Sequence, residues 1–181
     1  FFSSLVNCTR LKTLSLDTNG LTGELPRFIA NLSATMENLY MYSNHIRGSI
    51  PQGIGKLVNM INLNLGDNFL TGSIPQSIGR LSKLGVLDLS KNNIAGAIPT
   101  SISNITWLGY LYIQDNLLQG SIPTPLFNIT LEELYLSNNH FRGAIPDEIV
   151  FMSNCIVLNL SRNLFSGPLP SNIGSLKQLV I

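Results

Sequence analysis

The chain has little charge, two histidines, two cysteines and no long apolar run, and each shortage closes off a class of function. Charged residues are 12 % of the 181 positions and sum to +1, against a globular average of about 25 %. No field exists to steer nucleic acid or an anionic membrane, so neither is expected as a partner. There is no initiator Met, signal peptide, membrane-length apolar span or kinase motif. Neither localisation nor an output can therefore be read from these residues themselves. What is plentiful is Gly, Asn, Leu, Ser and Ile, a mixture of core aliphatics and turn formers that predicts many short elements with tight corners.

Those residues recur with a period of 24. The string Leu-x-x-Leu-x-Leu-x-x-Asn starts seven times, at Leu11, Met36, Met60, Leu84, Leu108, Leu131 and Cys155, with conservative aliphatic swaps. The copies fill residues 11–178; the first has 25 residues and the fifth 23. Residues 1–10 read as the tail of a preceding copy, with Phe2 where its proline should stand, and 179–181 as the start of another. Neither end carries a polar cap, so an internal fragment of a longer array is expected.

Each recurring residue has a physical task in a coil that closes on itself and stacks on its neighbours. Alternation of apolar and variable residues, as in Asn62-Leu63-Asn64-Leu65-Gly66, predicts a half-buried strand in each copy, stacked into one parallel sheet. The ninth position is always Asn: Asn19, Asn44, Asn68, Asn92, Asn116, Asn139 and Asn163. A buried carboxamide both donates and accepts, so these predict a ladder that satisfies backbone groups at the bend. Gly and Pro recur later in each copy, as at Gly72 and Pro75, and punctuate the turn.

The run Leu70-Thr71-Gly72-Ser73-Ile74-Pro75 resembles the plant-specific class of leucine-rich repeats. More narrowly, Leu5-Val6-Asn7-Cys8-Thr9, Ile29-Ala30-Asn31-Leu32-Ser33 and Leu158-Asn159-Leu160-Ser161-Arg162-Asn163 resemble ectodomains of plant receptor kinases in the group of the cereal and flagellin-sensing immune receptors. The resemblance implies a leucine-rich-repeat solenoid: a right-handed curved superhelix, a concave parallel β-sheet, and an irregular or 3-10 convex side. It implies a second sheet flank from the Gly-x-Ile-Pro segment. It also implies an extracellular, plasma-membrane receptor fragment that binds a peptide or protein, with a co-receptor kinase of the same repeat class as a further partner. Secreted leucine-rich inhibitors of microbial pectin-degrading enzymes share the repeat and stand as the alternative.

Catalysis finds no support. His45 and His140 lie four copies apart, roughly 19 Å by strand spacing, and a metal site or a Ser-His-Asp triad needs them clustered. Gly48 to Gly53 mimics a phosphate-loop spacing, but Ile54 stands where Lys is required. No cofactor and no metal are expected. Cys8 and Cys155 fall roughly 30 Å apart, beyond the about 7 Å limit of a disulfide, and both replace core aliphatics, which predicts two small buried hydrophobes.

Five glycosylation sequons occur, at Asn7, Asn31, Asn104, Asn128 and Asn159. Four share the twenty-first position, away from the strands; Asn159 lies on a strand and is expected to point out of the concave face. Recognition is then left to the outward strand positions. Tyr110, Tyr112 and Tyr135 fall on neighbouring strands beside Asp88, Gln114, Asp115 and Glu133, while Tyr40 and Tyr42 make a smaller patch. Rigid aromatics rimmed by polar groups suit a peptide or protein site, and the acidic residues favour a basic partner.

Overall fold

The computed structural model describes residues 5, 7–26, 29 and 31–180. Phe2, read above at a proline position, and Ile181 lie outside the described residues. Fourteen short strands occur among the described residues: β1 (Thr13–Ser15), β2 (Thr22–Glu24), β3 (Asn38–Tyr40), β4 (His45–Ser49), β5 (Asn62–Asn64), β6 (Phe69–Thr71), β7 (Val86–Asp88), β8 (Ala95–Gly96), β9 (Tyr110–Tyr112), β10 (Leu117–Gly120), β11 (Glu133–Tyr135), β12 (His140–Gly143), β13 (Val157–Asn159) and β14 (Leu164–Phe165). The odd strands form one seven-stranded parallel sheet in chain order. Its register is exact in kind: the middle Leu of each strand pairs with the middle Leu of the next, as in Leu63↔Leu87↔Leu111↔Leu134. That Leu is buried in every interior strand while its two neighbours stay half-exposed, so one face of the sheet is core and the other is surface.

The even strands build a second sheet in two parts, β2-β4-β6 and β8-β10-β12-β14. Here pairing advances by two residues per turn: Arg47 pairs with Phe69, which holds in its own turn the place of His45. The second sheet sits earlier in the repeat than the resemblance implied. β4 ends before Ile50-Pro51 and β6 before Gly72, because Ile50 and Ile74 turn into the core and a proline has no N–H to give a ladder. The prolines Pro51, Pro75, Pro99, Pro123 and Pro146 instead stand in extended conformation directly before 3-10 helices on the convex side: Gln52–Lys56, Gln76–Arg80, Thr100–Asn104, Thr124–Asn128 and Asp147–Phe151. A fixed φ and a missing donor suit that place, where the N–H would be unpaired in any case.

Aliphatic side chains from every turn merge into one continuous core, with Leu39, Leu63, Leu87, Leu111 and Leu134 wholly buried. Polar groups at the bend are satisfied by the Asn ladder. Asn92 Nδ2 donates to Leu65 O of the preceding turn and to Leu89 O and Ser90 O of its own, while its Oδ1 accepts from Leu70 N at 2.8 Å. Asn44, Asn68, Asn116, Asn139 and Asn163 repeat the same pattern. Asn19 is exposed, and its side-chain bonds among the described residues go to Leu16 O and Asp17 O of its own turn. Asn163 is half-buried.

Two features were not legible in the repeat string. The residue before each ladder Asn adopts the left-handed conformation without being glycine: Thr18, Ser43, Asp67, Lys91, Asp115, Asn138 and Arg162 all have φ between 51° and 56°. This strained geometry lets two successive amides reach the next turn, as Asp67 N bonds Ser90 O and Asn68 N bonds Lys91 O. Gly55 and Gly79 are required by packing, since a Cβ there would lie 2.4 Å from Ser77 O and 2.2 Å from Ser101 O of the following turn.

The short fifth copy loses its residue at one corner. Elsewhere the chain re-enters the sheet through a bond such as Met60 N to Leu57 O; there Leu131 N reaches Ile129 O, one residue closer, and Ile129 is extended. The sheet register on either side is unchanged. Cys155 is buried as expected, and burial pushes its thiol up to about 11. Cys8 is exposed, contrary to expectation, whereas Leu57 and Leu81 at the same position are buried. Both cysteines are free.

Candidate ligand-recognition face

The outward row of the sheet is set by backbone register alone. Asp88, Tyr112, Tyr135 and Asn159 are successive Cα partners across β7, β9, β11 and β13, and Val86, Tyr110, Glu133 and Val157 form the parallel row beside them. Strands pair so closely that two large rings in adjacent places must meet: Tyr112 and Tyr135 lie 5.3 Å apart between centroids and tilted by 50°, near the edge-to-face arrangement aromatic pairs favour.

The phenols are tied down by carboxylates. Tyr112 Oη donates to Glu133 Oε2 at 2.8 Å, from one row to the other, and Tyr110 Oη donates to Glu132 Oε2 at 2.6 Å. Burial, followed by the Glu133 hydrogen bond and its charge, raises the Tyr112 phenol well above the ordinary range; the Glu132 hydrogen bond raises Tyr110. Both rings are thus held in one orientation as neutral phenols. Such pre-ordering lowers the entropy lost when something binds against them.

The acidic residues near the rings have neutral partners. Asp88 Oδ1 accepts from Ser90 N and Oγ, and Asp115 Oδ1 accepts from Asn138 Nδ2 at 2.6 Å. Among the described residues the ion pair present is Lys12 with Glu37, at the far end of the sheet. Across the seven copies the outward positions hold seven carboxylates (Asp17, Glu37, Asp67, Asp88, Asp115, Glu132, Glu133) and three cations (Lys12, Lys91, Arg162). Since the whole chain is +1, negative charge is gathered on the concave face and positive charge elsewhere. Gln114 adds a carboxamide oxygen that is buried and unpartnered beside the rings.

The structure assembles Asp88, Tyr110, Tyr112, Glu133 and Tyr135 on one face, with Gln114 and Asp115 following β9. It does not join Tyr40 and Tyr42 to them. β5 and β7 intervene, and the Tyr42 phenol is raised by a hydrogen bond with Asp17, whose own carboxyl is lowered first by Ser15. Glu132 was missed by the sequence reading because it stands one residue before the strand; its charge beside an aromatic strand was the available signal. The two histidines are exposed members of β4 and β12, with His45 packed 5.6 Å from Phe69.

The sequon residues Asn7, Asn31, Asn104 and Asn128 are all exposed. Asn159 lies on the concave sheet beside Tyr135, its Oδ1 accepting from Ser161 N and Oγ of its own sequon. Among the described residues no three His, Cys, Asp or Glu side chains gather to hold a metal, and no helix is long and apolar enough to cross a membrane.

Comparison with known proteins agrees with this architecture. Six segments, 10–32, 35–57, 59–81, 83–105, 130–152 and 154–176, match the family described as Leucine Rich Repeat. A 60-residue stretch is 47 % identical to the LRR receptor-like serine/threonine-protein kinase EFR of Arabidopsis thaliana, covering 33 % of this chain and 6 % of that protein. Among solved structures, the ectodomain of the Arabidopsis thaliana receptor kinase GASSHO1/SCHENGEN3 in complex with CASPARIAN STRIP INTEGRITY FACTOR 2 superposes with a TM-score of 0.93 at 37 % identity, over 97 % of this chain and 21 % of that one. The Arabidopsis receptor kinase HAESA, in complex with the peptide hormone IDA and the co-receptor SERK1, gives 0.93 at 33 % identity, over 98 % and 30 %. This chain therefore spans a small part of the proteins it resembles.

Proposed function

The chain belongs to the leucine-rich-repeat family, and from that premise we propose that it is an extracellular recognition segment of a plant receptor kinase that takes a peptide or protein on its concave sheet. As a repeat ectodomain it is a recognition scaffold, not a catalytic one. The observation that carries the reading is the Tyr112–Tyr135 pair, two large rings fixed against each other, with Tyr112 also tied to Glu133. A fold needs no such pair there: Asn64 holds the same place two strands before Tyr112 on an identical backbone.

The partner's chemistry follows from charge. Among the described residues Glu132, Glu133, Asp88 and Asp115 bond to neutral partners and form no ion pair, which suits a segment bearing Lys, Arg or a free amino terminus. Membrane attachment and the kinase lie outside this chain in this reading, with a co-receptor of the same repeat class as a second partner and the plasma membrane as the location. The resemblance to the immune-receptor group supports a role in immune signalling.

The test is selection of a random peptide library on the immobilised chain. Selected peptides should be rich in Lys and Arg, and the Tyr112→Ala/Tyr135→Ala double variant should bind them at least about tenfold more weakly, as for central aromatic anchors elsewhere. Its circular dichroism should stay unchanged. Equal affinity for variant and parent would remove the proposal.

A further inference from the structure

Two aromatic side chains outside the concave sheet are left in water by the fold. Trp107 is 78 % exposed and Phe151 61 %, more than any other exposed aromatic among the described residues. The core beneath is already filled, by Leu108 and Ile105 under the first and by Ile149 and Met152 under the second. A single exposed aromatic is ordinary on a protein surface; what sets these two apart is where they stand.

Each stands beside a sequon. Trp107 directly follows Asn104-Ile105-Thr106, so its Cα is at most ~11 Å from that of Asn104. Phe151 holds in the sixth turn the place that Asn128 holds in the fifth; the two residues line one small cleft of about 70 Å³ together with Thr130 and Ser153. Both Asn104 and Asn128 are exposed and close their 3-10 helices. The second and third turns supply the contrast. There the same place is Lys56 or Arg80, and the residue matching Trp107 is Asn59 or Lys83. Those two turns carry neither a sequon nor an exposed aromatic at these places.

We propose that the convex flank of the fourth to sixth turns is a seat for N-linked sugars, in which the first N-acetylglucosamine units on Asn104 and Asn128 lie against Trp107 and Phe151. A pyranose ring offers one face of C–H groups that packs on an aromatic ring, while its hydroxyls and the rest of the glycan remain in water. Attachment forms a bond from Asn Nδ2 to the anomeric carbon of the sugar. The pyrophosphate of a lipid-linked oligosaccharide donor leaves, and one carboxamide proton is lost. The seat rests on the reading above only in requiring passage through the secretory pathway; it leaves the concave sheet open.

The chain secreted from plant cells behind a signal peptide provides the test. Glycopeptide mass spectrometry should find Asn104 and Asn128 occupied. Trp107→Ser and Phe151→Ser should each lower Tm by about 2–4 °C in the glycosylated protein. The same change should survive trimming to a single N-acetylglucosamine by an endoglycosidase and vanish in the sequon variants Thr106→Ala and Thr130→Ala. Empty Asn104 and Asn128, or an aromatic substitution with the same effect whether or not the sugar is present, would overturn the seat. Peptide selection on the concave face is read separately and should be indifferent to all four substitutions, so the two proposals fail independently.

Discussion

The third and fifth turns share the backbone of their strand and bend and differ in what they display there. In β5 the outward residues are Asn62 and Asn64, and the next outward place is Gly66; in β9 they are Tyr110 and Tyr112, followed by Gln114. Beneath them the two turns are interchangeable: Leu63 and Leu111 are both wholly buried, Asp67 and Asp115 adopt φ of 52° and 56°, and Asn68 and Asn116 make the same bonds. The difference teaches that stability is written on one side of each strand, which leaves the other side free to vary. A substitution can therefore reach one without the other.

The largest expected effect lies in the ladder. Asn92→Leu strips Leu70 N of its acceptor and three carbonyls of a donor, and should cost about 3 kcal/mol or more in urea unfolding. Asn64→Ala, four positions earlier in its own turn, should stay within about 0.5 kcal/mol; comparable losses from both would break the division between the two sides. Next come the glycines. Gly79→Ala drives a Cβ against Ser101 O and should destabilise by about 2 kcal/mol, whereas Gly85→Ala, whose new Cβ would lie 3.8 Å from Ile61 O, should be nearly neutral.

A smaller change of opposite sign is expected at the strained bend. Lys91 has φ of 51°, and Lys91→Gly relieves that strain while adding chain entropy to the unfolded state, for a net gain of about 1 kcal/mol or less. Last is a pH effect. Folding raises the Tyr112 and Tyr110 phenols above their ordinary value of 10, so the folded chain keeps protons that the unfolded chain releases. The stabilisation is complete below pH 10 and is lost as pH rises from there through the folded values. Ultraviolet titration of phenolate should show the two groups ionising late, and Glu133→Gln should bring Tyr112 back towards 10.

Much of this was legible in the chain. Seven Asn at one spacing imply a hydrogen-bonding ladder, and alternation around residues such as Leu63 implies a sheet with one buried face; local chemistry repeated seven times leaves few ways to satisfy it. The placement of Tyr112 beside Tyr135 was legible too, since in-register stacking turns a column of sequence into a row of surface. What the aromatics do with their hydroxyls was not. Glu132 and Glu133 capture them only because side chains from adjacent turns approach in space, a matter of distance that one sequence does not encode.

The sequence by itself determined the period, the ladder and the outward columns, because each depends on residue type at a fixed spacing. Tertiary packing decided the rest. It sets the two-residue advance of the second sheet, forces Lys91 and Arg162 into a conformation their types disfavour, and places the deletion of the fifth copy at a corner where the register survives. In each case the outcome depends on what stands above and below a turn, and a turn's own residues carry no record of its neighbours.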